Sequence, residues 1–153
     1  MKVVTGVALD RDILHDTLTC SDIGTNFVEE LFNQLDRFSV NIDMISQIVS
    51  GEDMNVSFTC KDTDRNFLNQ ILDSLKEEFK GIRYSIRTDC AKVSIVGSGM
   101  RDVSGVAARA FRLLCSNGIN FYQVTTSEIS ISYAIDKDIS EKAVILLCKE
   151  FNI

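Results

Sequence analysis

Four stretches of the chain repeat one pattern of apolar positions, at i, i+1, i+4, i+5 and i+8. They are Phe27, Val28, Leu31, Phe32 and Leu35; Phe67, Leu68, Ile71, Leu72 and Leu75; Val106, Ala107, Ala110, Phe111 and Leu114; and Ala143, Val144, Leu147, Cys148 and Phe151. This spacing gathers the side chains into one stripe of an α-helix, because residues three and four apart share a face. Polar residues such as Glu29, Glu30 and Gln34 fall opposite the stripe, so each predicted helix has one side to bury against a sheet. Between the helices the period drops to two. Met54, Val56, Phe58 and Cys60 alternate with polar neighbours, as do Ile129, Ile131, Tyr133 and Ile135, which predicts half-buried strands. Ile42, Met44, Ile45 and Ile48 mark another strand, matched by Phe121 and Val124. Further strands are predicted at Thr17–Cys20, Ile82–Arg87, Lys92–Val96 and Val3–Leu9.

The order strand, helix, strand, strand, helix, strand occurs and then begins again, with the second copy offset by 79 residues: Phe32 maps to Phe111, Asn41 to Asn120 and Val28 to Ala107. Each copy reads as a ferredoxin-like βαββαβ unit, an antiparallel sheet with two helices on one face. The fold class expected is therefore α+β. The second copy ends at its second helix and lacks a fourth strand, while Val3–Leu9 is one strand too many for the first. An unpaired sheet edge invites filling. The expected arrangement inserts the first unit, residues 12–89, into a second unit made of 2–11 and 90–153, whose fourth strand comes from the N-terminus.

Composition narrows the partners. With 153 residues, 45% hydrophobic and 25% charged, the chain reads as a soluble globular protein. No apolar run approaches the roughly 20 residues that span a bilayer, and Met1-Lys2 leads directly into a strand-like segment, so a cytoplasmic protein is expected. A net charge of −6 repels phosphate backbones and anionic lipid, which argues against nucleic acid and membrane partners. The five cysteines (Cys20, Cys60, Cys90, Cys115 and Cys148) are widely spaced, form no CxxC pair and have one histidine for company. Reduced, mostly buried thiols and no metal site are expected.

Catalytic chemistry is not legible. His15 and Asp16 are neighbours in a strand and point to opposite faces, so they make a poor acid–base pair, and His15 is expected to be solvated or capping. Gly97-Ser98-Gly99 follows a strand and precedes a helix, but the next glycine, Gly105, comes six residues on rather than three, so a dinucleotide site is not expected. A tight turn with close backbone approach explains these glycines better. Ser104 is a good N-cap type, so the helix starting near Gly105 would present backbone N–H groups to which a carboxylate can dock. Asp102 or strand carbonyls could accept from the ammonium group of the same small zwitterion. On the residues alone, a capped structural helix is the simpler account.

Several strings together resemble a known family: Val4-Thr5-Gly6-Val7-Ala8-Leu9-Asp10; Asn41-Ile42-Asp43-Met44-Ile45 with Gln47; Lys92 through Arg101, which includes Gly97-Ser98-Gly99-Met100-Arg101; Gly105-Val106-Ala107-Ala108-Arg109; and Thr126 through Ser132. In order and spacing, along essentially the whole chain, they resemble the C-terminal regulatory region of aspartate kinases, which is built from paired ACT domains. The resemblance implies a regulatory module without catalytic activity of its own and without a cofactor. Its expected partners are a kinase catalytic domain or subunit, a second copy of itself, and a feedback amino acid, L-lysine and/or L-threonine, held at ACT–ACT interfaces. Carried over residue by residue, the second unit's site would use Met100, Arg101, Asp102, Val103, Ser104, Gly105, Val106, Asn120, Phe121, Thr126, Ser127 and Glu128. The first unit's would use Asp22, Ile23, Gly24, Thr25, Asn26, Asn41, Ile42, Asp43 and Gln47. This first set departs from the family pattern. Ile23-Gly24-Thr25-Asn26 stands where an Asp-x-Pro-Gly-like turn is usual, Asp22 is displaced by one residue, and Ile48 follows Gln47 in place of asparagine. A different amino acid, or a dimer contact alone, would account for that. The alternative to an aspartate kinase module is a tandem ACT sensor of another amino-acid enzyme. An RNA-binding sheet would need a basic face and clustered aromatics, whereas Tyr84, Tyr122 and Tyr133 are scattered.

Overall fold

The four apolar stripes become four helices in the computed structural model, which describes residues 2–21 and 26–153. Helix α1 (Asn26–Arg37) buries Phe27, Leu31 and Leu35, and α2 (Arg65–Glu78) buries Leu68, Ile71, Leu72 and Leu75. Helix α3 (Val106–Ser116) buries Val106, Ala110 and Leu114, and α4 (Ser140–Phe151) buries Ala143 and Leu147. Phe67 departs from its stripe: it remains 43% exposed, with its ring centroid 5.6 Å from that of Phe38.

Six strands carry the sheet hydrogen bonds: β1 (Gly6–Cys20), β2 (Ile42–Ser50), β3 (Asp53–Lys61), β4 (Arg83–Val96), β5 (Phe121–Thr126) and β6 (Ser130–Asp136). The expected strands Val3–Leu9 and Thr17–Cys20 are one strand, β1, and Val3 to Thr5 precede it. The charged run at Asp10, Arg11 and Asp12 does not interrupt it. Neither glycine nor proline falls there to break extended backbone, and the charges stand exposed. Asp10 pairs with Lys92 at 3.3 Å, Arg11 with Glu141 at 2.5 Å, and Asp12 with Lys137 at 2.5 Å. Most of Ile82–Arg87 likewise merges with Lys92–Val96 into β4, which Ile82 precedes, although Asp89 between them takes a positive φ of 55°. Ile129 lies outside β6, in the turn before it.

The chain divides into two compact units, Leu14–Thr88 and Met1–Ile13 with Asp89–Ile153; β1 and β4 contribute residues to both. In the Leu14–Thr88 unit the strand order is β2-β3-β1-β4, with β2 and β3 antiparallel, and α1 and α2 pack over a core of Leu14, Leu18, Val56 and Phe58. In the other unit the order is β1-β4-β6-β5, with β4–β6 and β5–β6 antiparallel, and α3 and α4 pack over Val93, Ile95, Ile131 and Tyr133. Each unit carries one irregularity at nearly corresponding places, one residue short of the 79-residue offset. The register shifts between Asp43 and Ile45 in β2, and between Phe121 and Gln123 in β5. Such bulges re-aim the side chains that follow.

Three buried polar atoms have no hydrogen-bond partner among the described residues: Asp16 Oδ1, Thr59 Oγ1 and the Tyr133 hydroxyl. His15 is not solvated as expected; it is 7% exposed, because β1 runs on through it as an interior strand. Asp16 turns the other way, between Leu14 and Leu18 on the core side, where the Cys60 thiol donates to its Oδ2 at 3.5 Å. Burial raises the Asp16 carboxyl to a pKa of about 7, against the opposing pull of that hydrogen bond. Tyr133 belongs to an aromatic trio, 5.5 Å from Phe111 and 5.6 Å from Phe121. By strand pairing its counterpart in the other unit is Phe58, which faces Ile45 across β2–β3 as Tyr133 faces Val124 across β5–β6. An unsatisfied buried hydroxyl costs about 1–3 kcal/mol. Tyr133→Phe is therefore expected to leave the fold intact and to raise the urea midpoint by about 1 kcal/mol of stability. A loss of more than about 1 kcal/mol would mean that the hydroxyl has a bound partner.

Candidate functional site

The second-unit candidates are assembled by the end of β4. Gly97 donates its N–H to the Ile129 carbonyl at 2.9 Å, tying β4 to the β5–β6 turn. A Cβ at Gly97 would stand 2.0 Å from the Val3 carbonyl oxygen and 2.8 Å from Val4 Cα, and one at Gly99 would stand 2.9 Å from Val3 Cα. The Gly-Ser-Gly string is thus a close backbone crossing. A 3₁₀ turn, Ser98–Arg101, follows, with Met100 N–H donating to the Gly97 carbonyl and Asp102 N–H to the Gly99 carbonyl, both at 3.2 Å. Gly105 then turns the chain into α3 at φ +95°, a conformation that glycine adopts without Cβ strain. Ser104, expected to cap α3, does not. Gly105 occupies the N-cap position and no side chain bonds the first turn.

Across from this loop, Ser127 shapes the β5–β6 turn. Its Oγ accepts from the N–H of Ile129 at 3.3 Å and of Ser130 at 3.1 Å, and its own N–H donates to the Ser130 carbonyl at 2.8 Å. Arg101 bridges the two loops: Nη1 lies 3.6 Å from Glu128 Oε2, and Nε lies 3.9 Å from Asp102 Oδ1. Met100–Val106 and Thr126–Glu128 therefore meet at one end of the sheet. Apart from half-buried Met100 and buried Val106, this group is exposed. Asn120 and Phe121 are not with them. Asn120 precedes β5 and Phe121 begins it, and at about 3.3 Å per residue the strand holds Phe121 about 17 Å from Thr126. Phe121 packs instead against Phe111 at 5.3 Å. The unit that carries these loops has nine acidic and nine basic residues, whereas Leu14–Thr88 has thirteen and seven. The chain's net charge resides wholly in the latter.

In Leu14–Thr88, Asp22, Ile23, Gly24 and Thr25 lie outside the described residues. Asn26 opens α1, and Asn41, Asp43 and Gln47 are exposed along the start of β2. Asn41 and Ile42 line a hollow of about 300 Å³ together with Phe32, Leu35, Asp36, Val40 and Ile45. Sequence reasoning did not gather these residues. The signal available was the end of the α1 stripe falling beside the first residues of β2.

Comparison with known proteins bears on this arrangement. The profile of the ACT domain matches residues 93–151, within the unit that holds the Arg101–Glu128 bridge. An aspartokinase of Helicobacter pylori is 34% identical over 143 residues, covering 93% of this chain and 35% of that protein. The chain thus spans about a third of the length of such relatives. The ligand-free regulatory subunit of aspartate kinase from Thermus thermophilus superposes with a TM-score of 0.89 at 32% identity, covering 98% of this chain and 99% of that one. A solved structure of aspartokinase alpha and beta subunits contains a chain matching at TM-score 0.86 and 32% identity, with the same coverage. What is matched is the regulatory region, and the catalytic part of the full-length relatives has no counterpart among these 153 residues. By its fold, by identity over its full length and by this coverage, the chain belongs to the family of aspartate kinase regulatory subunits built on the ACT domain.

Proposed function

We propose that the chain binds a feedback amino acid, L-lysine and/or L-threonine, and through it controls the phosphorylation of L-aspartate by a kinase catalytic domain or subunit. The observation that carries this reading is the meeting of Met100–Val106 with Thr126–Glu128, inside the stretch that matches the ACT domain. A first helical turn without a side-chain cap suits a carboxylate, and Asp102 suits an ammonium group. Asn120 and Phe121 contribute from the far end of β5 if the site is completed at an interface between ACT units. Asn26, Asn41, Ile42, Asp43 and Gln47 form the second, less regular site beside the hollow at β2.

The arrangement proposed for the units is insertion of the first into the second. The discontinuous make-up of one unit and the hydrogen bond from Thr5 N–H to the Val96 carbonyl at 2.8 Å support it. A homodimer is proposed because the edge strand β2 exposes Ile45, Ile48 and Val49, an apolar edge that a second copy would cover. A cytoplasmic location is proposed on the composition, 45% hydrophobic and 25% charged; no described helix is long and apolar enough to cross a membrane. Effector binding acts by population shift: it favours one packing of the ACT units over another by as much as its affinities for the two differ.

Calorimetric titration with L-lysine and L-threonine, singly and together, with sedimentation on the same samples, tests this. Saturable binding of either at sub-millimolar to millimolar concentration by a stable dimer is expected. A folded chain silent toward both, and sedimenting as a monomer, would overturn the reading.

A further inference from the structure

The hollow of about 300 Å³ between the end of α1 and the start of β2 has a twin place in the other unit, and there a phenyl ring stands. Shifted by 79 residues, Phe32, Val40 and Ile45 become Phe111, Ile119 and Val124, apolar for apolar, while Ile42 becomes Phe121. Strand pairing agrees: Ile42 faces Cys60 two residues after Phe58, and Phe121 faces Ile135 two residues after Tyr133. The Phe121 ring packs between helix and sheet, 5.3 Å from Phe111 on α3 and 5.6 Å from Tyr133 on β6. Ile42 brings no ring, and the walls of Phe32, Leu35 and Ile45 border open space instead. A volume of about 300 Å³ lies at the lower end of small-molecule pockets.

Two polar side chains share this apolar lining, Asp36 and Asn41, both exposed. No described residue hydrogen-bonds or pairs with either side chain. Asp36 sits in the last turn of α1, where the negative end of the helix dipole disfavours a carboxylate and a neighbouring cation would relieve it. Asn41 carries an amide that can donate to a carboxylate. We propose that the hollow takes the side chain of an aromatic amino acid, with its ammonium group at Asp36 and its carboxylate at Asn41. This rests on the amino-acid-sensor reading under Proposed function and gives the first unit a ligand class other than lysine and threonine. A lysine side chain would set a charge against the apolar walls, and a threonine side chain is too short to cover them.

Calorimetric titration of the 153-residue chain with L-phenylalanine, beside L-lysine and L-threonine and with sedimentation on the same samples, is the test. Saturable binding of L-phenylalanine at millimolar concentration or below is expected. In Ile42→Phe the ring found at the twin position fills the hollow, and affinity for L-phenylalanine falls by about tenfold or more, the scale of one buried apolar side chain. Ile42→Leu adds no ring and retains the affinity. Asp36→Asn removes a charge that the helix end disfavours, so it keeps the fold, and it weakens binding by up to about fivefold, the scale of one exposed ion pair. A folded wild-type chain that ignores L-phenylalanine, or one whose affinity survives Ile42→Phe, overturns the proposal whatever lysine and threonine do. A wild-type dimer that ignores L-phenylalanine and dissociates in Ile42→Phe assigns the hollow to a second copy's side chain and overturns it equally. Binding of L-phenylalanine with silence toward lysine and threonine upholds the proposal and overturns only the effectors named above.

Discussion

Asp16→Asn is expected to stabilise the Leu14–Thr88 unit at pH 8 by on the order of 2 kcal/mol, and to change it little at pH 4. The carboxyl lies on the core side of β1 with one oxygen unpartnered, and the one group bonded to it is the Cys60 thiol. Helices α1 and α2 turn mainly leucine and isoleucine toward this core; the buried polar side chain among them, Gln34, is held by Glu30 at 2.9 Å and Ser74 at 3.4 Å. β4 turns Tyr84 and Ile86 inward, and the Tyr84 hydroxyl is engaged by Asp73. Burial first, then Asp16 itself, and then Asp64 and Asp62, push the Cys60 thiol upward, so it remains a neutral donor. What acts on the Asp16 carboxyl is burial, which raises it, and the Cys60 hydrogen bond, which lowers it. In the unfolded chain Asp16 ionises near pH 4, whereas in the folded chain it does so at about 7. Between those values the folded state keeps a proton that the unfolded state has released. Stability therefore falls as pH rises from about 4 to 7 and is level above, by at most about 4 kcal/mol for three pH units. Asparagine does not titrate, so urea midpoints measured from pH 4 to 8 should lose this slope. A wild-type midpoint that rises across the window would refute the assignment. In the 79-residue correspondence, the twin of Asp16 is Ile95, the residue type expected at such a position.

Gly97→Ala is expected to cost more than about 3 kcal/mol, far beyond the roughly 1 kcal/mol by which alanine and glycine usually differ. The φ of Gly97, 176°, is extended backbone open to any residue, so the cost is steric. The new methyl carbon would meet the Val3 carbonyl oxygen at 2.0 Å, and main chain cannot rotate away as a side-chain tip can. Relief requires residues 2–5 to lift from the 97–99 turn, which breaks the Thr5–Val96 hydrogen bond. Thermal unfolding with limited proteolysis of the N-terminal segment would register both effects. Gly105→Ala serves as the control: nothing lies within 4 Å of its Cβ, so only the strain of φ +95° is added, about 1 kcal/mol. Equal losses at the two glycines would refute the crossing.

The helices were legible because a stripe of five apolar residues in each leaves one face to bury, and all four formed there. Strand boundaries were less so. A run such as Asp10-Arg11-Asp12 looks like a loop in sequence, yet extended backbone tolerates consecutive charges when each finds solvent or a counter-ion. Ser104 illustrates the limit of residue preferences. Serine caps helices well, but the positive φ available to Gly105 placed the helix start one residue later. The Gly97 and Gly99 spacing announced a close approach without saying what approached. Nothing in the order of residues brought Arg101 to Glu128, because a pairing across 27 positions depends on how β5 and β6 return the chain. The separation of Asn120 and Phe121 from the loop residues follows from strand length, which a chain of correspondences to a family does not express.

The Thr5–Val96 contact also sets an order of events. Leu14–Thr88 is one uninterrupted stretch and can close on itself, whereas the other unit draws its strands from both sides of it. Joining Thr5 to Val96 closes a loop of 91 positions. Left flexible, that loop carries an entropic cost that grows with the logarithm of its length. Once Leu14–Thr88 has folded, the same ends are carried close together by structure, and the closure becomes short-range. The contiguous unit is therefore expected to form first and to shorten the search for the discontinuous one, and refolding kinetics should register damage to the first as slow assembly of the second.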